Sequence, residues 1–274
     1  MKYVAWLVLV FICPWASAKQ GFEIPRSKVV ELTDPQSGRV YPLYIKLPRS
    51  YLANQDKHYP VIYLTDANYS FQLASGATRF PMNTGAMAEA IIVGISYSKG
   101  AKGPSSRVRD YTPSLASDWQ LPTGSAKGHA LFIRETVFTY IETHYRVNQL
   151  QRTFVGNSLG GLFGAYMLFT QPNMFSSYIL GSPSVWFNNH AILTAKIAKP
   201  NKATKVYLSV GQLEQPKFGE REDMVAGAKQ LAAKISMQPD NNILLKFSVI
   251  DGASHSTAFP TTLIQGLDWL YGVN

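Results

Sequence analysis

Thr153-Phe154-Val155-Gly156-Asn157-Ser158-Leu159-Gly160-Gly161 reads as three things in succession: a short strand, a sharp turn and the start of a helix. Residues 153–155 are β-branched or aromatic, and residues 160–170 carry apolar side chains at helical spacing. Gly156-Asn157-Ser158-Leu159-Gly160, between them, matches G-x-S-x-G, and the strand before it and helix after it give that short pattern its weight.

The chemistry explains the residue types. A serine nucleophile has to stand on a strained strand-to-helix turn, where a Cβ at Gly156 or Gly160 would crowd the backbone. The first N–H groups of a helix lack acceptors and sit at the positive end of its dipole, so the N–H of Leu159 suits a developing oxyanion. The plainer alternative is a glycine-rich helix start with Ser158 as its N-cap.

Working outward, short apolar runs at 61–64, 91–95, 178–180, 206–210 and 244–250 read as strands, and their continuity suits a sheet covered on both faces. Helical periodicity runs over 130–143, 160–170, 223–235 and 261–271. Alternating strands and helices imply parallel crossovers. Two early segments, 28–32 and 41–47, flank Asp34-Pro35-Gln36-Ser37-Gly38 and predict an antiparallel opening hairpin. The fold class is therefore α/β, with one domain expected over 19–274. Residues 98–128 break the rhythm with prolines and glycines and read as a long surface loop of a kind that is often functional.

A serine nucleophile needs a base and an orienting acid, in the chain order Ser, acid, His. Of the five histidines, His255 alone follows a late strand in a loop of small residues, Asp251-Gly252-Ala253-Ser254-His255-Ser256. His58, His129 and His144 sit where solvated or capping histidines are expected, and His190 comes too soon after Ser158 for an acid to precede it. The acid belongs after the strand at 206–210. Glu214 follows it directly, with Glu220, Glu222 and Asp223 as competitors. A second oxyanion donor belongs to the loop after the strand at 61–64, where the N–H of Asn68 or a neighbour is placed to serve.

The 274-residue composition limits the remaining classes. Met1-Lys2, an apolar run at 4–12 and Ala16-Ser17-Ala18 have the layout of a secretory leader cleaved after residue 18, too short for a membrane span. The only cysteine, Cys13, lies inside it, so the mature chain has no disulfide, thiolate ligand or cysteine nucleophile. Export without disulfides fits a periplasm. The formal charge is +9, or +8 from 25 basic and 17 acidic residues once Lys2 is removed, which favours anionic small-molecule partners. The basic residues are dispersed, and nucleic acid is not an expected partner. The histidines are scattered without ligand spacing, which argues against metal-assisted hydrolysis, and acyl transfer through a serine needs neither a metal nor an organic cofactor.

Six segments in order carry a resemblance: Tyr59-Pro60-Val61-Ile62-Tyr63-Leu64-Thr65-Asp66, Arg109-Asp110-Tyr111-Thr112-Pro113, Tyr145-Arg146-Val147, the Ser158 turn with Gly161, Gly181-Ser182-Pro183-Ser184-Val185-Trp186, and Gly211-Gln212-Leu213-Glu214. Over most of the mature chain the sequence resembles the putative esterase family of α/β hydrolases, and within it the branch of periplasmic esterases that open the trilactone of catecholate siderophores such as enterobactin. The resemblance implies the α/β-hydrolase fold, with a mostly parallel central sheet and helices on both faces. It also implies an acyl-enzyme mechanism on Ser158 and His255 with Glu214 as acid, and Arg107 or Arg109 facing an anionic, iron-bound catecholate. Trp186, Tyr69 and Phe71 are candidates to stack on catechol rings. Two positions depart from the family pattern: Asn157 stands for the more usual His before the nucleophile, and Ala67 for a Gly, which puts the second oxyanion donor in question. A general periplasmic carboxylesterase, a catalytically silent siderophore-binding protein and a water-excluding acyltransferase are the competing readings.

Overall fold

The computed structural model describes residues 21–237 and 242–273. The leader read at 1–18, with Cys13, lies outside the described residues. The strands are β1 (Ser27–Thr33), β2 (Val40–Lys46), β3 (Tyr59–Leu64), β4 (Ile91–Ile95), β5 (Val147–Asn157), β6 (Ser177–Gly181), β7 (Thr204–Gly211) and β8 (Ile243–Ile250). They form one sheet in the order β1-β2-β4-β3-β5-β6-β7-β8. Pairing is antiparallel for β1 with β2 and for β2 with β4, and parallel everywhere else. The opening hairpin and the mostly parallel sheet of an α/β-hydrolase fold are thus both present.

The helices are α1 (Ala67–Ala77), α2 (Arg79–Thr84), α3 (Gly103–Tyr111), α4 (Ala126–Phe132), α5 (Phe138–His144), α6 (Leu159–Thr170), α7 (Phe187–Thr194), α8 (Met224–Ser236) and α9 (Ala258–Tyr271), with a π turn at Ile133–Val137 joining α4 to α5. Because successive strand side chains point to opposite faces, each central strand feeds two cores. Val61, Tyr63, Phe154, Tyr178 and Val206 join one core with Phe163 of α6 and Leu231 of α8. Ile62, Leu64, Val155, Ile179 and Tyr207 join the other with Phe71 of α1 and with Leu263 and Leu267 of α9. This two-sided burial is why the strands read as continuous apolar runs rather than alternating ones.

The expected loop at 98–128 is corrected by the structure. It contains α3 and leads into α4. Pro104 does not break α3, because it occupies the first turn, where its missing N–H has no acceptor to lose. The helix stops at Thr112, whose extended backbone (φ −90°, ψ 131°) is what the following Pro113 demands. Helices α1, α2 and α7 also add to the sequence reading. Among the described residues, no helix is long and apolar enough to cross a membrane.

Candidate active site

Ser158, Glu214 and His255 stand on loops that follow the carboxyl ends of parallel strands, the edge at which the strand-to-helix connections of such sheets open into a crevice. Ser158 joins β5 to α6 with φ 59° and ψ −119°, a backbone state that L-residues rarely adopt. The turn is held by its own hydrogen bonds. The Ser158 N–H donates to Gly181 O (2.9 Å), and its carbonyl accepts from the N–H groups of Leu162 (2.9 Å) and Ser184 (3.1 Å). A Cβ at Gly156 would lie 2.3 Å from Gly160 O, and one at Gly160 would lie 2.6 Å from Thr65 Oγ1, so both glycines are required by space.

Glu214 is completely buried on the loop after β7. Its Oε1 accepts from Ser182 Oγ (2.6 Å) and the Gly211 N–H (2.7 Å), and its Oε2 lies 2.5 Å from His255 Nδ1. Two backbone bonds, Gln212 N–H to Ile250 O and Leu213 N–H to Ala253 O, both 2.9 Å, stitch the acid loop to the base loop after β8. A carboxylate facing Nδ1 fixes the proton there and leaves Nε2 as the basic nitrogen. The competitors Glu220, Glu222 and Asp223 do not contact His255. Asp223 instead caps α8, accepting from the Ala226 N–H at 2.8 Å.

Ser158 and His255 line one cleft of about 300 Å³, together with Tyr69, Tyr97, Pro104 and Arg107. In this state Ser158 Oγ is hydrogen-bonded to Ser184 Oγ (3.2 Å) and not to the imidazole. The Leu159 N–H, first in α6, has no backbone acceptor among the described residues. The same holds for Asn68 in the first turn of α1, whereas the N–H groups of Tyr69 and Ser70 return to Asp66 O. The Asn68 side chain is turned toward Ser96 Oγ (2.7 Å) and Tyr44 OH (3.2 Å).

The question raised by Ala67 has a plain answer. The left-handed residue in that segment is Asp66 (φ 54°), while Ala67 is the first residue of α1 and needs no positive φ. Asp66 is fully buried and accepts from Tyr97 OH (2.7 Å) and Arg107 Nε (3.0 Å). Burial, and then the Asp66 carboxylate, push the Tyr97 phenol above its ordinary range, so it stays a neutral donor. Replacing Arg107 with methionine would leave Asp66 buried without its cation. We expect a loss of about 3 kcal/mol, read as a lowered urea midpoint at constant m-value.

The remaining sequence candidates separate cleanly. Arg107 and Tyr69 reach the cleft, with Tyr69 edge-on to Phe259 at 5.9 Å. Arg109 does not. Its guanidinium is spent on Asp110 (2.7 and 2.8 Å), Ser98 (3.1 Å) and Ser106 (3.3 Å), away from Ser158. Trp186 stacks on Trp119, with ring centres 6.0 Å apart, and packs toward Val210 and Met224, and Phe71 is buried in the core. His129 is not a capping residue but lies buried among Tyr41, Tyr111, Phe132 and Phe163, where desolvation lowers its pKa. Ser182 and Ser184 were visible in the sequence without a role. Their place just after a strand end, at the same sheet edge as Ser158, was the available signal.

The "Putative esterase" family description matches residues 35–270. The chain belongs to this family. This esterase is 31% identical over 266 residues to the ferri-bacillibactin esterase BesA of Bacillus subtilis, covering 90% of each chain. It also superposes on the crystal structure of the BES protein of Bacillus cereus with a TM-score of 0.81 and 31% identity, over 93% of this chain and 98% of that one. The siderophore hydrolase EstB of Aspergillus nidulans matches with a TM-score of 0.79 and 25% identity, over 93% and 98%. Membership in this family makes the esterase an ester hydrolase, and the loops that carry its site follow the strands of a fold shared with siderophore hydrolases.

Proposed function

We propose that the chain is a serine esterase that hydrolyses the ester backbone of a siderophore through an acyl-enzyme, with a catecholate trilactone of the enterobactin type as substrate. The observation that carries this reading is the fully buried Glu214 carboxylate 2.5 Å from His255 Nδ1, with His255 sharing a cleft with a strained Ser158. In the proposed cycle Ser158 Oγ leaves Ser184, passes its proton to His255 Nε2 and attacks the ester carbonyl. The tetrahedral oxyanion is met by the N–H of Leu159 and by a second donor from the first turn of α1, Asn68 being one candidate. His255 returns the proton to the leaving alcohol, and water activated by the same nitrogen releases the acyl group.

Ser184 acts in this scheme as a parking acceptor for the resting hydroxyl. The substrate class rests on the relatives, which are named for siderophore esterases, and on chemistry that agrees with them. The chain is basic, a ferric catecholate is an anion with aromatic rings, and Arg107 and Tyr69 line the cleft. Arg107 already carries Asp66, so its part in binding is an orienting one, with the Tyr69 ring giving a surface for catechol. We propose a periplasmic location as well, which the leader pattern read at residues 1–18 supports and where an incoming siderophore would be met.

The test is time-resolved hydrolysis of enterobactin, iron-free and iron-loaded, by the purified protein, with p-nitrophenyl butyrate alongside and products resolved by mass. Linear catechol-serine products are the expected result. Turnover of the butyrate ester with the trilactone left whole would reassign the enzyme to simple acyl esters, and no turnover of any ester would overturn the catalytic reading.

A further inference from the structure

We propose that the protein has a second ligand site, remote from the cleft, which takes the phosphate group of a small amphiphile on Lys46. Lys46 ends β2 and pairs with Ile92 near the start of β4. The catalytic loops follow the opposite ends of the parallel strands, so the two sites occupy opposite edges of the sheet.

Lys46 is only 7% exposed, yet it forms no ion pair among the described residues. One of its three ammonium protons goes to Ser75 O (2.9 Å), and the others have no protein acceptor among the hydrogen bonds of the described residues. Beside it, Ser75 Oγ is buried without any partner. Both side chains line a cavity of about 250 Å³, whose rim carries Arg26 and Arg79 together with Ile24, Pro25 and a largely exposed Phe22. Among the described residues, no carboxylate lines this cavity.

Three cations around this cavity repel one another unless an anion joins them, and the Ser75 hydroxyl has a proton to donate to that anion. The effect is visible on the lysine itself. Burial first, then the Arg26 and Arg79 guanidiniums, push its pKa down to about 8. A tetrahedral oxyanion fits this donor set, because it accepts from an ammonium, a hydroxyl and two guanidiniums at once. Ile24, Pro25 and the exposed Phe22 ring form an apolar rim beside the cations, which a short alkyl group on the phosphate would cover. That chemistry is shared by a soluble phosphomonoester and by an anionic lipid headgroup.

The experiment is calorimetric titration of the purified protein with n-butyl phosphate and with inorganic phosphate, plus sedimentation with phosphatidylglycerol and with phosphatidylcholine vesicles. Lys46→Met keeps the volume and removes an unpaired buried charge, so it should fold and melt higher than the wild type without ligand. Ser75→Ala provides a second variant that leaves Lys46 in place. Binding of butyl phosphate to the wild type, about tenfold weaker in Lys46→Met and weaker in Ser75→Ala, is expected, with ester hydrolysis unchanged in both. Sedimentation with phosphatidylglycerol alone, lost in Lys46→Met, would assign the phosphate to a lipid, and butyl phosphate binding without sedimentation would assign it to a soluble ligand. Equal affinity in wild type and Lys46→Met, or binding of neither phosphate together with no sedimentation, overturns the proposal. Because the site shares no residue with the cleft, these outcomes are independent of which ester the enzyme cuts.

Discussion

Ser158→Ala lowers kcat for ester hydrolysis by about 10⁵- to 10⁶-fold, the scale on which removing a serine nucleophile acts when its oxyanion donors stay in place. Binding should survive, because the hydroxyl forms its bond to the substrate only as reaction begins, so fluorescence titration with the ferric siderophore should give nearly the wild-type affinity. The backbone supplies a companion measurement. Ser158 is held at φ 59° and ψ −119°, a state that costs a residue with a Cβ about 1–3 kcal/mol and costs glycine little. Ser158→Gly should therefore be as inactive as the alanine variant while unfolding at a higher urea concentration. A glycine variant no more stable than the wild type would show that the turn carries no strain.

Glu214→Gln should lower kcat by about 10³- to 10⁴-fold with little change in KM, because Glu214 does not touch the substrate. The amide keeps the shape of the carboxylate. Its oxygen has to face the Gly211 N–H and Ser182 Oγ, since Glu214 Oε1 accepts from both. The NH₂ group is then directed at His255 Nδ1. That nitrogen can only accept from it, so the ring proton moves to Nε2, and the nitrogen that should receive the Ser158 proton is already occupied. Melting temperature should stay close to the wild type, which separates this tautomer effect from a loss of fold. Retained kcat would remove Glu214 from the triad and return the question to Ser158 and His255 alone.

Sequence and structure agree best where one local rule has no competitor. The Ser158 turn is legible because strand, glycine spacing and helix all fall within a dozen residues, and the elbow at φ 59° is what those glycines make room for. Glu214 is favoured in the sequence by chain order and by its place directly after the strand at 206–210, but that proximity alone does not exclude Glu220, Glu222 or Asp223. Only burial and the bonds to Gly211 and Ser182 do so. Arg107 and Arg109 show the opposite case. They are two residues apart on α3, but that spacing on a helix sends side chains to different faces, and reading the segment as a loop hid the difference. The helix is masked in the sequence because prolines and glycines read as breakers, and Pro104 is compatible with it only because it stands in the first turn. Long-range contacts, such as Trp186 on Trp119 or Asp66 under Tyr97, have no local signature and required the folded chain.

The strand order bears on when the enzyme becomes competent during synthesis. From β5 onward each strand is laid against the outer side of the one before it, so this half of the sheet can be assembled in the direction in which a ribosome delivers it. Ser158 arrives just after β5, Glu214 after β7 and His255 only after β8, the last strand at that edge. On the proposed roles, a chain that stops before β8 carries the strained turn without His255 to take the proton from Ser158, and hydrolysis waits for that strand.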